Sequence, residues 1–500
     1  MLLTAQAFSS AGSPRDAARL AAILASGGDG RIRPDAGGRN QYHATVTPSS
    51  ALAYGSSTIS SISAHAFATL AARWRPALDR PLAADAYARE LDMIRRRLRV
   101  QFGRPETAIV FAASGTDLEY AGLAAAWDGR PITAVLLGRD EVGSGCIHSA
   151  AGRFFAGETA IGARVVAQAS VDPAFVGTEL VDIPVRDAGG QPRASSVVAA
   201  ELAEQIDRAR GLGRKAVVHV VHGSKTGLTL PALPDVEALV AAYGDAMTVV
   251  VDACQLRIRP ATVRHYLDLG CVVLMTGSKF AGGPPFSGFA FVPPALVARA
   301  RPLPEGYRRL AIRAEWPSDW PGADTLPVSG NFGLLLRLQA ALIEIERFAA
   351  LSEARTTHII ARFSHQVSRL TKRLELGEVP GTGASCLATE TLRTIDLSAR
   401  WPACDFDMAK AMHGQIARRS LQWLGHEIRL GQPVRTHRLE DGRAAGTLRL
   451  SLSMPMMTEL AALSDAALDE RLHRELSLVG AAISASASAA TGAPEPMPAA

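Results

Sequence analysis

Residues 247–290 read MTVVVDACQLRIRPATVRHYLDLGCVVLMTGSKFAGGPPFSGFA, and this stretch decides the fold. It opens on a continuously apolar run, 247–251, as a strand buried on both faces must have. Asp252 ends that run, in the tetrapeptide Asp252-Ala253-Cys254-Gln255. A second apolar run, 271–276, then releases Ser278 and Lys279 into a turn rich in glycine and proline. Apolar strands separated by helical segments form a parallel sheet with crossover helices, and ligands of such sheets sit at the carboxyl ends of the strands. Asp252 and Lys279 both stand at such ends.

The same unit recurs upstream in the apolar segments 107–111, 132–137 and 216–221, each followed by a helical pattern. Residues 84–100 carry Leu91, Ile94 and Leu98 on one helical stripe. The expected fold class is therefore α/β, with a large domain over residues 85–330 built on a mostly parallel sheet flanked by helices. A Pro- and Trp-rich insertion, 301–327, is long for a connection and reads either as a lid or as a packed excursion. One long helix is expected from about 332 to 375, within a linking segment 331–380. Strands and helices then alternate over 381–480, a small α+β C-terminal domain. The low-complexity tail, 481–500, reads as disordered. The N-terminal segment, 1–84, reads as partly irregular and contributing to the site, through Asn40, Tyr42, His43 and the hydroxyls of Ser56–Thr58. Asn40 and Tyr42 are its candidate substrate-binding residues.

The chain has 53 lysines and arginines against 48 aspartates and glutamates, and only five of the 53 are lysines. A formal charge of +5 over 500 residues, with no basic run interleaved with aromatics, gives no signal for nucleic acid. Any chemistry that needs a deprotonatable amine must use one of five side chains, because arginine stays protonated. Lys215, Lys372 and Lys410 read as solvated. Lys225, in HGSKTG, is not a P-loop lysine, since Ser224 stands where glycine must directly precede it. Lys279, leaving an apolar strand for a glycine turn, reads as a partly desolvated nucleophile. The five cysteines are odd in number and form no CxxC pair, so neither disulfides nor a metal site is expected. There is no signal-peptide pattern and no apolar window of spanning length, so a soluble, cytoplasmic protein without membrane contact is expected.

Upstream, AIVFAASGTDLEYAGL runs strand, Ser114-Gly115-Thr116, helix, and a helix start of that kind binds phosphate through its backbone N–H groups. The order Ser114-Gly115-Thr116, then Asp252-Ala253-Cys254-Gln255, then Ser278-Lys279 with glycines, each after an apolar strand, resembles the fold-type I pyridoxal-phosphate enzymes. More narrowly it resembles their class V aminotransferase and cysteine desulfurase branch, over residues 85–478. The resemblance implies a seven-stranded type of sheet and pyridoxal 5′-phosphate as cofactor. It implies a homodimer with a shared active site, and a small-molecule amino acid or amine as substrate. Lys279 would hold the cofactor as a Schiff base and move the substrate's Cα proton. Asp252 would pair with the ring nitrogen, Gln255 would contact the 3′-oxygen, and Ser114, Gly115, Thr116 and Ser278 would cradle the phosphate. HGSKTGLTLP resembles a strand-end motif of the branch that places Ser224 or Thr226 near the cofactor. His148 would stack on the ring, and Arg449 would fork onto the substrate carboxylate. SGNFGLLLRLQAAL resembles the helix start that reaches the neighbouring subunit's phosphate in the branch, with Asn331 standing about where the branch often has Gly-Thr. An aminotransferase is expected, with a lyase acting at a side-chain Cβ or Cγ bond as the alternative and a non-catalytic homologue as the third reading. In IRLGQPVRTH, Gln432 and Pro433 occupy the place of a desulfurase's reactive cysteine, which argues against that activity.

Overall fold

A computed structural model describes residues 13–55, 60–381 and 387–491. Its centre is a sheet whose main path runs Ala108–Ala112, Gly288–Val292, Val272–Thr276, Met247–Asp252, Lys215–His222, Ile132–Leu137, Glu179–Ile183. Gly288–Val292 lies antiparallel to both neighbours, and the other adjoining pairs are parallel. An eighth short strand, Thr229–Leu230, folds back on Lys215–His222. Val249, Val250 and Val251 are buried, each contributing about 1.5–3 kcal/mol of apolar transfer. Pro260 starts the crossover helix Pro260–Asp268, where its missing N–H costs nothing. Two strands lacked a clear sequence signal. Glu179–Ile183 is a half-exposed edge carrying two acids, and Gly288–Val292 follows a proline and glycine turn with no helix before it.

Three expectations are corrected. The single helix over 332–375 is two helices, Phe332–Ala349 and Glu353–Arg373, because Ser352 caps the second by accepting the Arg355 N–H at 3.2 Å. The tail does not begin at 481. The last helix runs Asp465–Thr491 and buries Ile483 and Ala487, packing on the Glu353–Arg373 and Phe406–Leu424 helices. Lys215 is buried rather than solvated, its amine donating to the Asp245 and Met247 carbonyls at 2.8 and 3.1 Å. Residues 492–500, Ser56–Thr58 and Cys386 lie outside the described residues.

In the C-terminal part, Leu392–Asp396 pairs antiparallel with Gly377–Glu378 and Thr447–Ser451. The N-terminal segment adds Leu52–Tyr54 in parallel to Ile428–Leu430, so the two ends of the chain meet in one unit. The insertion 301–327 is a packed excursion. Tyr307, Trp316 and Trp320 are buried, the two indoles meet edge to face at 4.9 Å, and Tyr307 donates to the Tyr120 carbonyl at 2.7 Å. Among the described residues no helix is long and apolar enough to cross a membrane.

Candidate active site

Sheet register brings the two residues of the opening stretch together. Asp252 pairs with Val221 on one side and Leu274 on the other, at the carboxyl end of the central strands. One Asp252 oxygen accepts the Cys254 N–H at 2.9 Å. Lys279 follows the adjoining strand by three residues, half-buried among buried neighbours. No ion pair of 4 Å or less joins it to Asp252 among the described residues. The turn carrying Lys279 admits only glycine. A Cβ on Gly277 would lie 2.2 Å from that of Ala341, and one on Gly283 would lie 2.7 Å from the Gly277 carbonyl oxygen. Ser278 is buried and donates to Thr276 Oγ1 at 3.4 Å, and that hydroxyl donates to the Cys254 carbonyl at 2.7 Å. Gln255 is buried one turn away, its carbonyl accepting the Phe280 N–H.

The helix Gly115–Ala126 starts beside these groups. Ser114 caps it by accepting the Asp117 N–H, which leaves the Gly115 and Thr116 N–H groups as the free positive end of the helix. A Cβ on Gly115 would stand 2.8 Å from Cys254 Sγ, so the glycine allows helix start and Asp252 turn to touch. Burial pushes the Asp117 carboxyl up to about 6, against the pull of Arg31. Arg31 was not singled out in the sequence. It forks onto Asp29, donates to Ser114 Oγ at 3.2 Å, and lies over the Phe155 and Phe286 rings at 4.9 and 5.0 Å. Arg337, fully buried, anchors the segment by donating to the Leu24 carbonyl at the end of the helix Pro14–Leu24 and to the Gly27 carbonyl beyond it.

After Ile132–Leu137, the short helix Cys146–Ser149 brings Cys146 near this centre. Burial holds its thiol well above the usual range, with Glu119, Asp252, Thr116 and Lys279 as neighbours. Cys254 is likewise a neutral thiol, raised by burial and by Asp252. His148 lies two residues beyond Cys146, lowered by burial and by the Arg153 and Arg139 charges.

A second network closes the other side. Glu141 is buried and accepts from Ser224 Oγ at 2.7 Å, the Thr226 N–H at 3.0 Å and Thr226 Oγ1 at 2.7 Å, and pairs with Arg186 Nε at 3.0 Å. Thr226 and Ser224 therefore spend hydroxyl protons on Glu141. The loop they anchor carries Lys225, whose carbonyl accepts from Arg449 Nη1 at 3.1 Å. Arg449, buried, also donates from Nε to the Gln432 carbonyl at 2.7 Å, and burial lowers it to about 10. Replacing Glu141 by alanine strands the buried Arg186 charge. Glu141→Ala is expected to lose roughly 3–5 kcal/mol in urea denaturation, and a loss under about 1 kcal/mol would contradict this account.

Other candidates sit differently. Asn40 accepts the Tyr42 and Ala44 N–H groups at 2.9 and 3.1 Å, so its carbonyl shapes its own turn. Tyr42 stands 6.5 Å from the Phe286 ring, on the Arg31 side. Asn331 caps its helix and donates to Gly27 at 3.2 Å within the same chain. Among the described residues no three His, Cys, Asp or Glu side chains group as metal ligands.

The donor set fits pyridoxal phosphate: a free helix start for a phosphate, an unneutralised carboxylate for a cationic ring nitrogen, and an amine on the adjoining strand end. No family model and no curated protein matches the sequence. Solved structures do. A cystine C–S lyase, solved with its reaction product cysteine persulfide, superposes with TM-score 0.52 at 16% identity, over 86% of this chain and 98% of that one. The alanine–glyoxylate aminotransferase of Nostoc sp. gives 0.50 at 15%, over 85% and 96%. The pyridoxamine–pyruvate aminotransferase of Mesorhizobium loti gives 0.50 at 14%, over 89% and 98%. By strand order, helix placement and this likeness, the chain has the fold of the fold-type I pyridoxal-phosphate enzymes.

Proposed function

We propose that the protein is a pyridoxal-phosphate-dependent enzyme acting on an amino acid or amine, most simply an aminotransferase. The observation that carries this reading is the juxtaposition of Lys279, Asp252 and the Gly115–Ala126 helix start at adjoining strand ends. When bound, the cofactor supplies an electron sink for a carbanion at the substrate's Cα. The chain's own residues then have separate tasks. The Gly115 and Thr116 N–H groups bind the phosphate, and the neutral thiols of Cys146 and Cys254 add no competing charge. The free oxygen of Asp252 holds the positive charge at the ring nitrogen. The Lys279 amine would hold the cofactor and, when free, would carry the proton to and from Cα. Arg449 Nη2, with no hydrogen-bond partner among the described residues, is the nitrogen left to meet a substrate carboxylate. A homodimer is part of this reading.

The protein with cofactor added should be yellow, absorbing near about 410–430 nm. Mixing it with one amino acid and no acceptor separates the outcomes. Keto acid equal to the enzyme present, without ammonia, supports transamination. Continuous release of ammonia or thiol supports the lyase alternative suggested by the cystine C–S lyase likeness. Absence of any cofactor-dependent band would overturn both.

A further inference from the structure

One buried charge cluster is left over once those tasks are assigned. Lys225 is half-buried at the carboxyl end of Lys215–His222, and its amine makes one hydrogen bond, to the Asp140 carbonyl at 3.0 Å. No carboxylate lies within 4 Å of it among the described residues, and the same holds for Arg449. The acid nearest in the network, Glu141, is already neutralised by Arg186 and saturated by Ser224 and Thr226. The charges acting on Lys225 are those of Arg449, Glu141 and Lys279. Its amine thus shares the site with two other cationic side chains and has two N–H donors left over. An ammonium placed among cations without a counter-charge is unfavourable unless an anion arrives to supply it.

We propose that Lys225 is a specificity-determining residue, and that the substrate carries two acid groups, one met by Arg449 and the other by Lys225. This rests on the reading of the site as a pyridoxal-phosphate centre and narrows its substrate to acidic amino acids or their oxo acids. Burial, with Arg449 alongside, lowers the Lys225 amine to about 8, so it is largely protonated at neutral pH and suited to an anion. The lysine is fixed by its loop rather than free on the surface. Its backbone N–H donates to the Glu141 carbonyl at 2.9 Å, and both flanking hydroxyls are held by the Glu141 carboxylate.

The test uses unreactive acids of equal chain length on the cofactor-loaded enzyme, following the cofactor band at constant ionic strength. Succinate should bind roughly 10- to 100-fold more tightly than butyrate. Lys225→Gln should remove that preference while leaving butyrate binding and the cofactor band in place, and Lys225→Arg should keep part of it. Equal binding of succinate and butyrate by the unaltered enzyme would overturn the proposal, whether or not the variant folds. So would a Lys225→Gln variant that weakens both acids alike. If the band never forms, the pyridoxal-phosphate reading fails first, and the proposal falls with it. A normal band with no diacid preference overturns the proposal alone.

Discussion

Lys279→Ala should yield a folded protein that retains no cofactor after borohydride reduction and denaturing dialysis, whereas the unaltered chain retains one equivalent. The scarcity of lysine makes this a clean experiment, since only Lys215, Lys225, Lys372 and Lys410 could substitute. Two of these are tied to main-chain carbonyls: Lys215 at the opposite, amino end of the sheet, and Lys225 on the Asp140 carbonyl. Turnover should fall by about 10⁴ or more, because the variant loses both the covalent hold and the proton carrier. Stability should change little, as the side chain is half-buried and makes no ion pair among the described residues. A trapped cofactor that survives the substitution would remove Lys279 from the mechanism. In that case Lys225, the other amine in the site, would be the next residue to examine.

The second large effect is expected at Asp252. Asp252→Ala leaves a cationic ring nitrogen without its counter-charge in a mostly buried place, at a cost of roughly 3–5 kcal/mol. That corresponds to a turnover loss of roughly 10²- to 10⁴-fold. The covalent attachment to Lys279 should persist, so the borohydride label is retained while the rate falls. This split separates Asp252 from Lys279, whose loss removes both. The local fold also depends on the carboxylate, which accepts the Cys254 N–H, so Asp252→Asn is the companion variant. The amide keeps that acceptor and loses only the charge. A turnover within threefold of the unaltered enzyme in Asp252→Asn would show that the charge is not needed.

Most candidate cofactor-site residues read from the sequence lie within a few residues of an apolar strand end; His148, well past Leu137, does not. Ser114, Gly115, Thr116, Asp252, Ser278 and Lys279 are of this kind. Their place in the fold follows from a local pattern, strand followed by turn or helix, which short-range chain physics sets. Arg31 and Cys146 are not of this kind, and Glu141 and Lys225, though each stands a few residues past a strand end, take their partners from distant parts of the chain. Arg31 meets Ser114 across 83 residues and Glu141 meets Thr226 across 85, contacts that no spacing announces. Arginine is too common in this chain for any one of them to stand out, and Arg449 could be singled out only through the family resemblance. Lys225 looked ordinary because HGSKTG fails as a P-loop. Only the packing of its loop on Glu141 and Arg449 shows what it neighbours. The broken helix at Ser352 was hidden for a related reason, since apolar spacing continues across the cap and only the Ser352–Arg355 hydrogen bond marks the stop.

By itself, then, the sequence determined the layered α/β fold, the strand ends that carry the candidate site, and Lys279 as the candidate amine, because alternating apolar strands and glycine turns are local properties of the chain. Tertiary structure alone decided the charge balance of the site: which cations Glu141 and Asp29 neutralise, and that Lys225 and Arg449 have no acid of their own among the described residues. That balance depends on distances between side chains far apart in sequence and on their removal from water, and both arise only when the chain has packed.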